Sequence, residues 1–276
     1  MIKVRSIKLE ELSGYRFSVY KFNKNLQTVY LYHLGDTLID TAQRKSREQV
    51  VEHLANHTIN KIVLTHFHED HTGNAAYLSQ QWNVPIYAHP ICAHRIKEGV
   101  KVAPFGLLVS GAVEKANAYH LLEDEVVDTG KYTLQPIHTP GHTPDHYSYY
   151  LQEKGWLFSG DLYVAEKIKY FSDDESMKLQ IESLQKLCAL DFDVLLCSHN
   201  PKLKNGKRHL TKKLQDLEGF YGKVLELYHK GYDFNAILKE TGRKENNFYN
   251  IITLGSFNAT NMIKSVLRDE GLLADV

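Results

Sequence analysis

The sequence predicts an α/β protein of layered architecture with mixed sheets. Three observations lead there. Strand-type segments open the chain, helical and strand patterns then follow one another without strict β-α-β alternation, and about the last 70 residues turn helical.

RFSVYKF, QTVYLYHL and DTLIDTA are rich in β-branched and aromatic residues and are broken by Asn-Lys-Asn and Gly-Asp, so each predicts a strand. Residues 43–57 change to helical spacing, with Val50, Val51 and Leu54 on one side. KIVLT predicts a short buried strand that runs into HFHEDHTGN and then into a helix, NAAYLSQQW. VPIYAH is a further short strand, and about residues 91–120, which include VAPFGLLVSG, read as less regular. KYTLQPIH, DHYSYYLQ, GWLFSGD and DVLLCSH predict strands, with the helix ESMKLQIESLQKLCAL between the last two. From Lys207 onward no strand is predicted, and helical segments alternate with glycine-containing breaks. The expected division is a main domain over 1–205 and a helical C-terminal region over 206–276. The second part either packs on the first or stands as a small subdomain.

Composition narrows the function. Lys+Arg and Asp+Glu both number 33, so the chain lacks the basic footprint of a nucleic-acid binder, and no such partner is expected. No apolar run approaches the ~20 residues of a membrane span, so no membrane partner is expected either. The opening MIKVRSIKLEEL alternates charge with aliphatics and does not read as a secretory signal. Cys92, Cys188 and Cys197 are too scattered for a disulfide framework or a zinc ribbon, and a reducing cytoplasm is the expected compartment. Fifteen histidines exceed what packing needs, so their positions carry the argument.

Four metal-capable side chains fall within six residues: His66, His68, Asp70 and His71. In extended chain, residues i and i+2 project to one side, so His66 and His68 face a common point. A turn at Asp70 with a helix starting near Gly73 would aim Asp70 and His71 at a neighbouring point. Imidazole and carboxylate ligands suit zinc, iron or manganese. His142, Asp161 and His199 each follow an apolar strand-like run by a few residues, where loops at one sheet edge place functional groups. Seven such donors are too many for one closed four-coordinate site and suit two metal ions.

With these residues the sequence resembles the metallo-β-lactamase superfamily. HFHEDH (66–71), the Gly-His of TPGHT (His142), the Gly-Asp of FSGD (Asp161), the late Ser-His (His199) and Asp40 in LIDTA carry the resemblance, over roughly residues 12–200. It implies a four-layer αββα sandwich with the metals at one edge of two packed sheets. It further implies that His66, His68 and His142 hold one divalent ion, most readily Zn2+, with Fe or Mn as alternatives. Asp70, His71 and His199 would hold the other, Asp161 would bridge the two, and Asp40 would orient a ligand histidine through its other ring nitrogen.

The activity implied is a metallo-hydrolase in which a dimetal-activated water attacks a small ester, thioester or lactone. Asp70 would also orient that water or pass a proton to the leaving group. TPGHTPDH is similar to the corresponding stretch of glyoxalase-II-like thioesterases and lactonases, in which glycine is common at the place of Asp145. The tail shows no match to the glutathione-gripping basic residues of glyoxalase II, which counts against a glutathione thioester. The alternatives are a mononuclear non-heme iron dioxygenase acting on persulfides and a metal-loaded binding protein with little turnover.

Other features have two readings each. His146 either supports the site or hydrogen-bonds locally, and Cys197 reads as a buried, inert thiol. VAPFGLLVSG either forms a lid or packs under the helical tail. Phe220, Tyr221, Tyr228, Tyr232, Phe248 and Tyr249 either pack in the tail or cover the site. Residues 202–213 are locally basic and either meet an anionic substrate or form a solvated helix entry.

Overall fold

The opening strands pair as their alternation requires. The computed structural model describes residues 1–273 and, within them, every side chain except those of Phe248 and Tyr249. β1 (Ile2–Leu9), β2 (Leu12–Lys21) and β3 (Lys24–Leu34) form an antiparallel meander, and β4 (Thr37–Ile39) turns back on β3. After α1 (Arg47–Leu54), the strands β5 (Lys61–Val63), β6 (Ile86–Ala88) and β7 (Tyr119–His120) add in parallel to complete a mixed sheet of seven. Between them lie α2 (Glu69–Thr72), α3 (Ala75–Trp82), α4 (Pro90–Glu98) and α5 (Pro104–Val109).

The second sheet contains β8 (Val127–Asp128), β9 (Thr133–His138), β10 (Tyr147–Leu151) and β11 (Trp156–Gly160), which are antiparallel. After the short β12 (Phe171–Ser172) and α6 (Met177–Cys188), β13 (Val194–Cys197) joins this sheet parallel to β11. The tail contributes α7 (Gly206–His229), α8 (Phe234–Glu240), α9 (Asn247–Ile252), β14 (Phe257–Asn258) and α10 (Thr260–Asp269).

Two-residue periodicity sorts the side chains into three apolar layers. Tyr30 and Tyr32 of β3 meet Phe158 and Leu196 of the second sheet between the sheets. Val29 and Leu31, one residue out of phase, face the outer layer with Val50, Leu54 and Leu78 from the helices. Leu157, Leu195 and Cys197 face the opposite outer layer, shared with Leu184, Leu210, Leu217 and Met262. The order is therefore α-β-β-α, and the tail packs into the main body's own core.

Three expectations need correction. Residues 91–120 are not irregular throughout: Pro90 sits in the first turn of α4 while His89 Nδ1 accepts the Ile91 N–H, and Pro104 starts α5 in the same position. The tail is not free of strand, since Phe257 and Asn258 pair with Ser172 and Phe171. The first helix of the His-rich turn begins at Glu69, and α3 follows from Ala75. Gly73 sits between them because a Cβ there would collide with the backbone of Arg44 and Glu69.

Candidate metal centre

β5 delivers Thr65 and His66 to the sheet edge, and α2 turns Asp70 and His71 back toward them. The turn is held from the 40s. Thr41 Oγ1 donates to the His71 carbonyl at 2.7 Å, and the Asn74 amide donates to the carbonyls of Thr41 and Gln43 at 2.8 and 3.0 Å. Asp40 adopts a left-handed φ of 60°, a conformation that aspartate tolerates better than most side chains. There its carboxylate accepts the Thr65 N–H and hydroxyl, both at 2.8 Å, and the His71 Nδ1–H at 2.8 Å. That bond turns His71 Nε2 toward the centre.

The donors from later in the chain arrive at the same point. His66, His68 and His142 form one group, Asp70, His71 and His199 another, and His66, His71 and Asp161 a third between them; within each, the ligand atoms lie within 4.8 Å of one another. Asp161 reaches both sides: Oδ2 is 3.0 Å from His199 Nε2 and 3.7 Å from His142 Nε2, and Oδ1 is 3.5 Å from His71 Nε2. Asp70 stands 3.6 Å from His71 Nε2 and 3.7 Å from His199 Nε2. His199 donates its Nδ1–H to the Thr28 carbonyl, which turns Nε2 inward.

Electrostatics divides the histidines. Burial, reinforced by neighbouring imidazoles, drives His66 and His68 well below the usual histidine range. Burial opposes charge on His71 and His199 too, but Asp161 and Asp70 overcome it. His71 is held well above its ordinary value, and His199 is raised to about 9. Burial works against the Asp161 carboxylate as well, yet His199 and His71 keep its pKa well below the usual range.

The donor set fits divalent cations. His66 Nε2, His71 Nε2 and Asp161 Oδ1 are buried and lack a hydrogen bond, although leaving such atoms unpaired costs ~1–3 kcal/mol each. All three face the meeting point of the groups, and imidazole with carboxylate is a zinc, iron or manganese donor set.

Several supporting residues were not legible as such. Glu175 Oε2 lies 3.4 Å from His142 Nδ1 and accepts from Gln180 Nε2 at 2.6 Å. Gln180 Oε1 in turn accepts from Lys213 Nζ at 3.1 Å, and the same ammonium donates to the Leu162 carbonyl, beside Asp161, at 2.5 Å. Lys213 is buried, so the basic reading of 202–213 fails at that residue. It falls in the stripe Leu210, Leu217, Phe220 and Val224, and that spacing was the available signal. Glu175 opens the predicted helix ESMKLQIESLQKLCAL, but α6 begins only at Met177, and helical spacing did not single Glu175 out as a residue of the site.

His146 supports the site: Nε2 accepts the Asp161 N–H at 3.0 Å and Nδ1 pairs with Thr139 Oγ1 at 2.8 Å. Burial pushes the Asp145 carboxyl up. Cys197 is fully buried, and burial pushes its thiol up to about 12. In VAPFGLLVSG the helix α5 packs at Glu69, and Ser110 Oγ donates to Gln27 Oε1 at 2.7 Å. Phe220 packs in the core and Tyr221 donates to Glu270, while the Phe248 and Tyr249 side chains lie outside those described.

The profile of the metallo-β-lactamase superfamily matches residues 27–199. A hydroxyacylglutathione hydrolase of Hahella chejuensis is 36% identical over 164 residues, 57% of this chain and 55% of that protein. A β-lactamase-like protein 2 homolog of Caenorhabditis elegans is 31% identical over 191 residues, 64% of this chain and 57% of that one. An atrochrysone carboxyl ACP thioesterase of Passalora fulva is 27% identical over 161 residues, 57% of this chain and 41% of that one. The matches thus span little more than half the length of the first two relatives, and less of the third. Among solved structures, a β-lactamase domain protein from Burkholderia ambifaria superposes with a TM-score of 0.70 at 18% identity, over 98% of this chain and 89% of that one. A metallo-β-lactamase family protein from Thermus thermophilus gives 0.66 at 19% identity, over 98% and 94%. These likenesses extend the shared fold through the helical tail.

Proposed function

The chain belongs to the metallo-β-lactamase superfamily, and from that membership we propose that it is a metal-dependent hydrolase of a small ester, thioester or lactone. The observation that carries the reading is Asp161, whose carboxylate touches histidines of both donor groups. His66, His68 and His142 would hold one divalent ion, and Asp70, His71 and His199 the other, with zinc the most suitable for this donor set. Two such ions, when bound, supply an activated water and polarise the acyl oxygen. The names of two relatives, an acylglutathione hydrolase and an ACP thioesterase, support the thioester among the three bond types.

The residues then have separable tasks. Asp161 fixes the spacing of the two groups. Asp40 and Thr28 hold His71 and His199 in the tautomers that aim Nε2 inward. An Asp70 carboxylate oxygen receives the proton of the attacking water and returns it to the leaving oxygen or sulfur, so that water and substrate become acid plus alcohol or thiol. No serine nucleophile is needed.

The test has two parts. Protein purified without added metal is expected to carry two zinc or manganese ions per chain and to hydrolyse members of a panel of esters, thioesters and lactones. One iron per chain with oxygen consumption on a persulfide would favour the dioxygenase, and full metal loading without turnover would favour the binding protein. Asp70→Asn with metal retained is expected to change the pH–rate profile. An unchanged profile would remove the proton-transfer role.

A further inference from the structure

A groove of about 420 Å3 lies between the β2–β3 hairpin, the start of β1 and α5. Ile2, Val19, Leu26 and Leu108 line it, with Lys21 and Lys45 as its charged members. Single apolar side chains in water need no explanation, but here several gather on one surface. Phe22, at the hairpin tip, is 88% exposed, and Leu107 and Leu108 are 44% and 49% exposed. The hairpin is one-signed: from Leu12 to Gly35 the chain has no carboxylate, while Arg16, Lys21 and Lys24 lie within that span. In a chain of zero net charge this is a local concentration, and among the described residues neither Lys21 nor Lys24 has an ion-pair partner.

Both walls of the groove lead to the metal centre. Leu108 stands two residues after Gly106, whose Cα packs so close to Glu69 Oε1 that a Cβ would collide with it. Leu26 stands two residues before Thr28, whose carbonyl holds His199. Two residues are ~3 Å along a helix and ~7 Å along a strand. The walls are pinned together by Ser110 on Gln27, and Lys45 Nζ donates to the Leu108 carbonyl.

We propose that this groove binds the apolar chain of an anionic amphiphile, and that the substrate of the neighbouring centre belongs to this class. The leucines, Ile2 and Val19 take the chain, and Lys21 and Lys45 face the anionic group. Only the second clause rests on the hydrolase reading. The binding itself requires no turnover.

Titration calorimetry on the metal-loaded full chain tests it, with decanesulfonate, butanesulfonate and decanol as probes. Decanesulfonate is expected to bind at least about tenfold more tightly than butanesulfonate, the equivalent of burying a few methylenes. The double variant Leu26→Asp/Leu108→Asp is expected to lose that advantage, and Lys21→Glu to weaken decanesulfonate but not decanol. No binding by the unaltered chain, or affinity unchanged in the leucine variant, overturns the proposal. Turnover of phenyl acetate and phenyl decanoate by the same proteins separates the two readings. If neither these esters nor the thioesters and lactones of the panel are cleaved while binding follows the expected pattern, the groove stands and the hydrolase fails. If esters are cleaved while both variants bind decanesulfonate as the unaltered chain does, the hydrolase stands and the groove fails.

Discussion

His146 Nε2 accepts the Asp161 N–H at 3.0 Å through the space that a side chain on Gly160 would need: a Cβ there would lie 2.5 Å from the same nitrogen. Burial, with His142 close by, keeps the His146 ring neutral and able to accept. Gly160 also holds φ at +48°, which glycine adopts at little cost. The Gly-Asp pair is therefore a packing requirement of the histidine behind it.

Gly160→Ala is accordingly expected to cost about 1–3 kcal/mol of stability from overpacking. By shifting Asp161 it should weaken metal binding by roughly 10–100-fold. Urea unfolding and titration against a competing chelator measure the two effects. A variant that binds metal like the unaltered chain would show that Asp161 does not depend on this contact.

The Glu175–His142 contact predicts a selective effect. Glu175→Gln keeps size and removes the charge that faces His142 Nδ1. Metal affinity at the group of His66, His68 and His142 should fall on the order of tenfold or more, with the other group retained. Cobalt substitution followed by visible absorption distinguishes the two positions. Equal loss at both would mean that Glu175 supports only the fold.

Metal uptake should release protons. His199 is raised to about 9 and His71 well above the ordinary range by the carboxylates around them, so both carry protons near neutrality in the metal-free protein. A cation must displace those protons to reach Nε2. Apparent affinity is therefore expected to rise with pH up to about 9. Calorimetry in buffers of different ionisation enthalpy should show at least one proton released per chain at pH ~7.5, and a result independent of buffer would contradict the protonated state.

Lys213 gives a stability prediction of definite sign. Burial lowers its pKa to about 8 from the ordinary 10.5, so between those values the unfolded chain binds the proton and the folded chain does not. Stability linked to this residue therefore rises as pH rises through that window. Relative to Lys213→Met, the unaltered chain should gain about 2 kcal/mol between pH ~7.5 and ~10, measured by urea unfolding. A constant difference between the two proteins across that range would place the buried amine outside this titration.

Much of the architecture is readable because it follows from local rules. The β-branched and aromatic residues of QTVYLYHL and the apolar run of VLLCSH mark β3 and β13, whose side chains divide between two apolar layers each. Helical spacing in ESMKLQIESLQKLCAL marks α6. The failures are local as well. α4 and α5 escape a reading by periodicity although proline stands in the first turn of each, and β14 is too short to carry a pattern. Lys213 misleads because a lysine within a basic run reads as solvated unless the apolar stripe around it is weighed first.

The order of residues by itself determined which side chains have metal-donor chemistry and which segments alternate, because both depend on residue type and on spacing within a few positions. Only the tertiary structure decided that Asp161 faces both groups, that His146 and Gly160 fit against one another, and that Glu175 links His142 through Gln180 to a buried lysine on α7. The bond of His146 to Asp161 spans 15 positions of the chain, and that of Asp161 to His199 spans 38. Such pairings depend on how sheets stack and helices dock, and no periodicity within a segment records the partner that packing will bring to it.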